Sequence, residues 1–243
     1  MLKIGKFVLG IRPAQKMFRV GSLSGMLIDT ILEARSDKIL GEKYFTEVAK
    51  SADQGVCQLS NIDQGNILRI DENNVVFTRD VYSNEKHVSI EKLLGEWRLL
   101  WKCLNGTLPV RDIRRIGIAA EHQFEVTDGT ASSKLFGGLL VGTRPLHPGK
   151  LLLQYEDRRP MTGKSGLPDI AKDAFINVIH HFYDSELDTD HPNPRHINAN
   201  LDVQKYFSPL YNGNLFDEVA PLYKLFQKEQ TALDDHIKER GLI

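Results

Sequence analysis

The chain has 243 residues, of which 41% are hydrophobic and 26% charged, enough to bury a sizeable core without help from disulfides or a structural metal. Lys and Arg number 31 against 32 Asp and Glu, a formal net charge of -1, so nothing global draws the protein to nucleic acid or to an anionic membrane. The longest apolar stretch, Leu135 to Gly142, is far short of the roughly 20 residues of a membrane span. Lys3 and Lys6 interrupt the apolar core that a signal peptide would need, so a cytoplasmic protein with no membrane partner is expected.

Taken in chain order, Phe7, Leu9 and Ile11 alternate ahead of Pro13 and predict a strand with one buried face. Leu23, Met26, Leu27, Thr30, Ile31 and Ala34 then recur at three and four, which predicts a helix capped near Ser22 or Ser24. A looser helical piece is expected from Tyr44 to Ala49. Short strands follow around Val56 to Asn61, Asn66 to Ile70 and Val75 to Tyr82, with Asp71-Glu-Asn-Asn74 as hairpin turn chemistry. The clearest helix comes next. Ser89 is its expected N-cap, Ile90, Leu93, Leu94, Trp97, Leu100, Trp101 and Leu104 share one face, and Asn105-Gly106 offers a left-handed end.

After Thr107-Leu-Pro109 the same order starts again. Residues 115 to 127 alternate strictly, with Ile116, Ile118, Ala120, His122, Phe124 and Val126 on one face. A short helix from about Ser132 to Val141 is expected, its paired glycines implying close packing or a weak end. Strands follow at Lys150 to Asp157, Ala174 to Glu186 and His196 to Phe207. A long helix from about Asn214 to Arg240 closes the chain, with Pro221 kinking it or marking its true start. The expected fold is therefore α+β with two similar lobes, residues 1–108 and 109–243. Each lobe reads strand, helix, antiparallel strands, helix, as in a duplicated unit with its own sheet. The competing reading is one α+β domain whose element order merely looks doubled.

Several constellations bear on function. Trp97, Trp101, Tyr223 and Phe226 lie at or beside the apolar stripes of the two main helices and are either core or, on an uncovered face, a protein-binding patch. Arg111, Arg114 and Arg115 gather before the long strand as a candidate nucleic-acid surface, against the alternative of a solvated charged face. His180, His196 and Asp184, with His181, Asp188, Asp190 and His191 nearby, carry the ligand types of a divalent-metal site, although His180 and His181 must point to opposite faces of a strand. His122, on the apolar side of its strand, is a candidate general base or a hydrogen-bonded core residue. Gly163-Lys-Ser165 lacks the earlier glycine of a phosphate-binding loop, since Arg158 stands there. Cys57 and Cys103 form neither a metal-ligand pair nor a redox motif, there is no nucleophile elbow, and no cofactor is expected.

The run Asp112-Ile-Arg-Arg-Ile-Gly-Ile118, placed after a Trp-bearing helix, resembles the hallmark Arg-Ile-Gly-Leu-Arg-Tyr-like strand of a sporadically distributed family of uncharacterised bacterial proteins. The Asn198-Ala-Asn-Leu-Asp-Val203 strand and the closing helix are similar to that family's C-terminal half. Where the family pattern continues Arg-Tyr-Ile-Asn, this chain has Ala119-Ala-Glu-His122. The resemblance implies an accessory or mobile-element role, with antiphage defence or toxin neutralisation as settings, and it carries no catalytic residues. The leading expectation is a non-enzymatic module that binds another protein. The alternatives are a metal-dependent hydrolase or nuclease and a nucleic-acid-binding protein.

Overall fold

Phe7, Leu9 and Ile11 are buried and the residues between them only partly so, the period-two pattern of a strand with one face on a core. The computed structural model describes residues 4–33, 40–41, 43–51, 55–81, 89–126, 134, 137–138, 152–161, 166–184 and 196–242. Its elements in the N-terminal half are β1 (Ile4–Pro13), α1 (Val20–Glu33), β2 (Glu47–Ser51), β3 (Val56–Asn61), β4 (Asn66–Ile70), β5 (Val75–Asp80) and α2 (Ile90–Thr107). Those of the C-terminal half are β6 (Ile113–Glu125), β7 (Leu152–Pro160), β8 (Phe175–Asp184), β9 (His196–Tyr211) and α3 (Leu215–Glu239). No helix among the described residues is long and apolar enough to cross a membrane.

The strands form one antiparallel sheet in the order β2-β3-β4-β5-β1-β6-β9-β8-β7, so the fold is α+β and mostly sheet. In place of a separate sheet in each half, β1 pairs with β6 from Ile4 opposite His122 to Pro13 opposite Ile113, and Gly10 lies directly across from Gly117. The cause is hydrogen-bond accounting. With β5 on one side of β1 and β9 on one side of β6, each strand has a free row of N–H and C=O groups that the other fills. In both halves the first strand lies beside the last, and the remaining strands run outward in reverse order.

The helices bury one face of this sheet in a continuous core. Phe7 is its hub: the ring stacks on Trp97 of α2 at 5.7 Å between centroids and meets Phe226 of α3 edge-on at 5.8 Å. Phe77 stacks on the same indole at 5.7 Å. Rings this large bury apolar area from three elements at once, which is why both helices turn their aromatic residues inward.

Helix α2 follows its sequence closely. Ser89 Oγ accepts from the N–H of Lys92, and Leu93, Trp97, Leu100, Trp101 and Leu104 are buried. The helix runs on through Asn105-Gly106 because the Leu108 N–H still reaches the Leu104 carbonyl, while Asn105 Oδ1 accepts from Val110 N–H instead. Three other expectations differ from the structure. Ser22 and Ser24 donate to the carbonyls of Arg19 and Gly21 and do not cap α1. The buried side of α1 is Val20, Ser24, Leu27, Ile28 and Ile31, with Met26 exposed; Ala34 lies outside the described residues. Residues 47–51 pair with β3 as a strand, since the edge of β3 offers a ladder that a single helical turn cannot match.

Of the helix expected at 132–141, Lys134, Gly137 and Gly138 are helical and the others lie outside the described residues. A Cβ on Gly138 would stand 2.7 Å from Leu242 Cδ2, the close packing that its glycine pair implied. Pro221 sits inside α3 without ending it.

Candidate functional site

The turn between β9 and α3 is clipped to the start of β6. The Asp112 N–H donates to Asn212 Oδ1 at 2.7 Å, and Asn212 Nδ2 donates to Asp112 Oδ1 at 2.8 Å. Asp112 adopts a φ of 52°, a left-handed value that Asp tolerates better than most residues. Tyr211 OH donates to the Asn214 carbonyl at 2.9 Å and fixes the approach into α3. These bonds hold the first turn of α3 beside the C-terminal part of α2, and a cavity of about 640 Å³ lies between them.

Its chemistry is one-sided. Leu99, Trp101, Val110, Ile113 and Phe216 supply an apolar floor, and Asn105, Asn212 and Asn214 add amides. Arg98, Lys102 and Arg111 supply charge, with no carboxylate among the described lining residues. All three cations are exposed, and none is in an ion pair among the described residues. The Asn214 side chain donates to Asp217 Oδ1 at 2.8 Å and accepts nothing from the first-turn amides, so the positive end of α3 faces the rim. Glu218, in that same turn, is paired with Lys205. The formal charge of the described lining residues is all positive, with the Asp217 carboxylate beside the rim, and such a lining favours an anion.

The aromatic quartet divides. Trp97 and Phe226 are core residues, 1% and 0% exposed, so they form no surface patch. Tyr223 is half-buried with its OH donating to Glu91 Oε1 at 3.2 Å, and Trp101, 6% exposed, forms part of the cavity floor. The arginines also part company, because the register between β6 and β9 shifts between Ile113 and Arg115. Arg111 lines the cavity. Arg114 donates to the carbonyls of Phe207 and Ile170, Arg115 points to Gln204 Oε1, and both guanidinium groups lie over the Tyr206 ring at 5.9 and 5.8 Å. They therefore do not present one row of cations to a phosphate backbone.

The histidines do not converge either. On β8, His180 shares the helix-covered side with Val178 and Phe182, whereas on β9 His196 shares the other side with Asn198. Asp184 is in register with Ile197, on the His180 side; its side chain, like all of Asp188, Asp190 and His191, lies outside the described residues. His180 stacks on Tyr155 at 4.8 Å, and burial lowers its pKa. No group of three His, Cys, Asp or Glu residues able to hold a metal occurs among the described residues. Gly163-Lys-Ser165 lies outside them. His122 is fully buried, its ring between the Ala199 carbonyl and the Gln230 amide, and so holds the core together out of reach of any substrate.

Sequence reasoning passed over Arg98, Lys102, Asn212 and Asn214. The available signal was the row Gly95, Arg98, Lys102 and Asn105 on one side of α2, which reads as a solvated face until α3 is set beside it. Compared with known proteins, the sequence matches no protein-family model and no curated protein.

Proposed function

We propose that this chain is a non-enzymatic protein-interaction module that docks a partner in the groove between its two halves. The observation that carries the reading is the cavity beside α2, where Arg98, Lys102 and Arg111 surround an apolar floor with no carboxylate among the described lining residues. A few polar groups converging on an apolar concavity are the usual composition of a binding site. The groove draws its walls from both halves, and the matching outward strand order supports reading those halves as copies of one ancestral unit. The setting is cytoplasmic and accessory, in a mobile-element system for antiphage defence or toxin neutralisation. That part of the proposal follows from the resemblance of the Arg115-Ile-Gly-Ile118 strand.

Native mass spectrometry of the protein purified from its own host tests the reading. The expected result is a stoichiometric protein partner that the double variant Arg98→Glu, Lys102→Glu fails to retain. A wild-type protein recovered alone, or a partner retained equally by the variant, overturns it.

A further inference from the structure

The spacing of the groove's cations specifies what fits it. Arg98 and Lys102 are four residues apart on α2 and both line the cavity, so they are separated by about 6 Å along the helix. Alternate residues of an extended chain project to the same side at about 6.6 Å, close to the same interval. A strand laid along α2 would therefore set side chains i and i+2 against Arg98 and Lys102, with residue i+1 turned toward the wall formed by Ile113 and Phe216. The wall from Gly95 to Asn105 is about 15 Å long at the helical rise, room for four or five extended residues. Gly95 has open space where a Cβ would be, which keeps that end of the groove wide.

We infer that the occupant is an extended acidic segment of a partner protein with the pattern acidic, apolar, acidic. The inference rests on the groove being the docking site. Single-stranded nucleic acid has a similar phosphate repeat, but its affinity for a groove depends on exposed aromatic platforms for the bases. Here Trp101 and Phe216 are 6% and 8% exposed, and Tyr211 is already stacked on Phe207. The apolar floor suits an aliphatic side chain better than a stacked base.

The test is fluorescence anisotropy with three 12-residue labelled peptides, built on Gly and Ser, that carry Glu-Leu-Glu, Gln-Leu-Gln or Glu-Glu-Leu at the centre, together with a 12-nucleotide thymidine oligomer. Glu-Leu-Glu should bind, about tenfold more tightly than the other two peptides, and its affinity should fall as salt rises. The Arg98→Glu, Lys102→Glu variant, checked for an unchanged thermal midpoint, should lose that preference; both side chains are exposed, so the fold should survive. Failure of Glu-Leu-Glu to bind, equal binding of Gln-Leu-Gln, or tighter binding of the oligonucleotide overturns the inference. If the host partner is still retained through Arg98 and Lys102 while no acidic peptide binds, the docking site stands and the acidic strand falls. If Glu-Leu-Glu binds while the protein comes from its host alone, the acidic strand stands and the stoichiometric host partner falls.

Discussion

The Gln230 side-chain amide donates to Nε2 of His122 across 3.1 Å, while Nδ1–H of the same ring donates to the Ala199 carbonyl at 3.0 Å. This arrangement uses the neutral imidazole, with the proton on Nδ1, and it ties α3 to β6 and β9, the two strands of the C-terminal half nearest the seam.

Burial is the largest influence on His122 and lowers its pKa, opposed in part by the Ala199 carbonyl and by Asp234 and Glu121. The unfolded chain therefore binds a proton that the folded chain refuses. Stability from this site is complete above the unfolded value of about 6.5 and declines as pH falls through it toward the lower folded value. Thermal melts at pH 7.5 and pH 5 should show a drop for the wild type that is smaller in His122→Gln; equal drops would refute the assignment.

Trp97 stacks on Phe7 and Phe77 and is 1% exposed. Trp97→Ala should cost about 3–5 kcal/mol in urea unfolding, because the cavity lies where three elements meet and little can collapse into it. A loss below about 1 kcal/mol would mean that the core is not organised around this indole.

Arg159 donates to both carboxylate oxygens of Glu229, at 2.6 and 3.2 Å, from the edge of the sheet to α3. Glu229 is 8% exposed, so Arg159→Leu strands a carboxylate in poor solvent. Because Arg159 itself is about half exposed, the expected cost is about 1–2 kcal/mol, less than for a fully buried pair. Urea unfolding of the variant beside the wild type measures this cost, and a loss below about 0.3 kcal/mol would show that the pair adds nothing to stability.

Gly65 has a φ of +69°, and a Cβ there would stand 1.8 Å from the Asp80 carbonyl oxygen. Gly65 O also accepts from Asp80 N–H at 2.8 Å, so the approach cannot relax without giving up that bond. Gly65→Ala should cost at least about 3 kcal/mol, combining left-handed strain with a backbone clash. Ser89→Ala, which removes the cap of α2 together with the hydroxyl's exposed bond to Glu91 Oε2, should cost about 1 kcal/mol in the same assay.

What could be read from the sequence was local. The α2 stripe and its Ser89 cap, the alternation along β6, and the Asp71 turn all depend on neighbours a few residues away; in that turn, Asp71 Oδ1 accepts from Asn73 and Asn74 N–H. The groove was hidden because its walls are brought together by a clip between residues about 100 positions apart, Asp112 and Asn212. Residues 44–49 misled for a related reason. Tyr44 and Phe45 are buried by packing, and the strand that follows exists only because β3 presents an edge to it. His180 and His196 were close in sequence, but strand parity decides which side each takes, and parity depends on where each strand begins.

The pairing of β1 with β6 bears on how the molecule can be taken apart. A break in the link between Leu108 and Asp112 would leave two fragments, each exposing a long unpaired strand at its rim, and the best complement for either rim is the other fragment. The protein is thus a natural candidate for splitting into two inactive pieces that rebuild the whole on mixing. In the intact chain, the same seam must close a loop of about a hundred residues, which places sheet completion late and slow in folding.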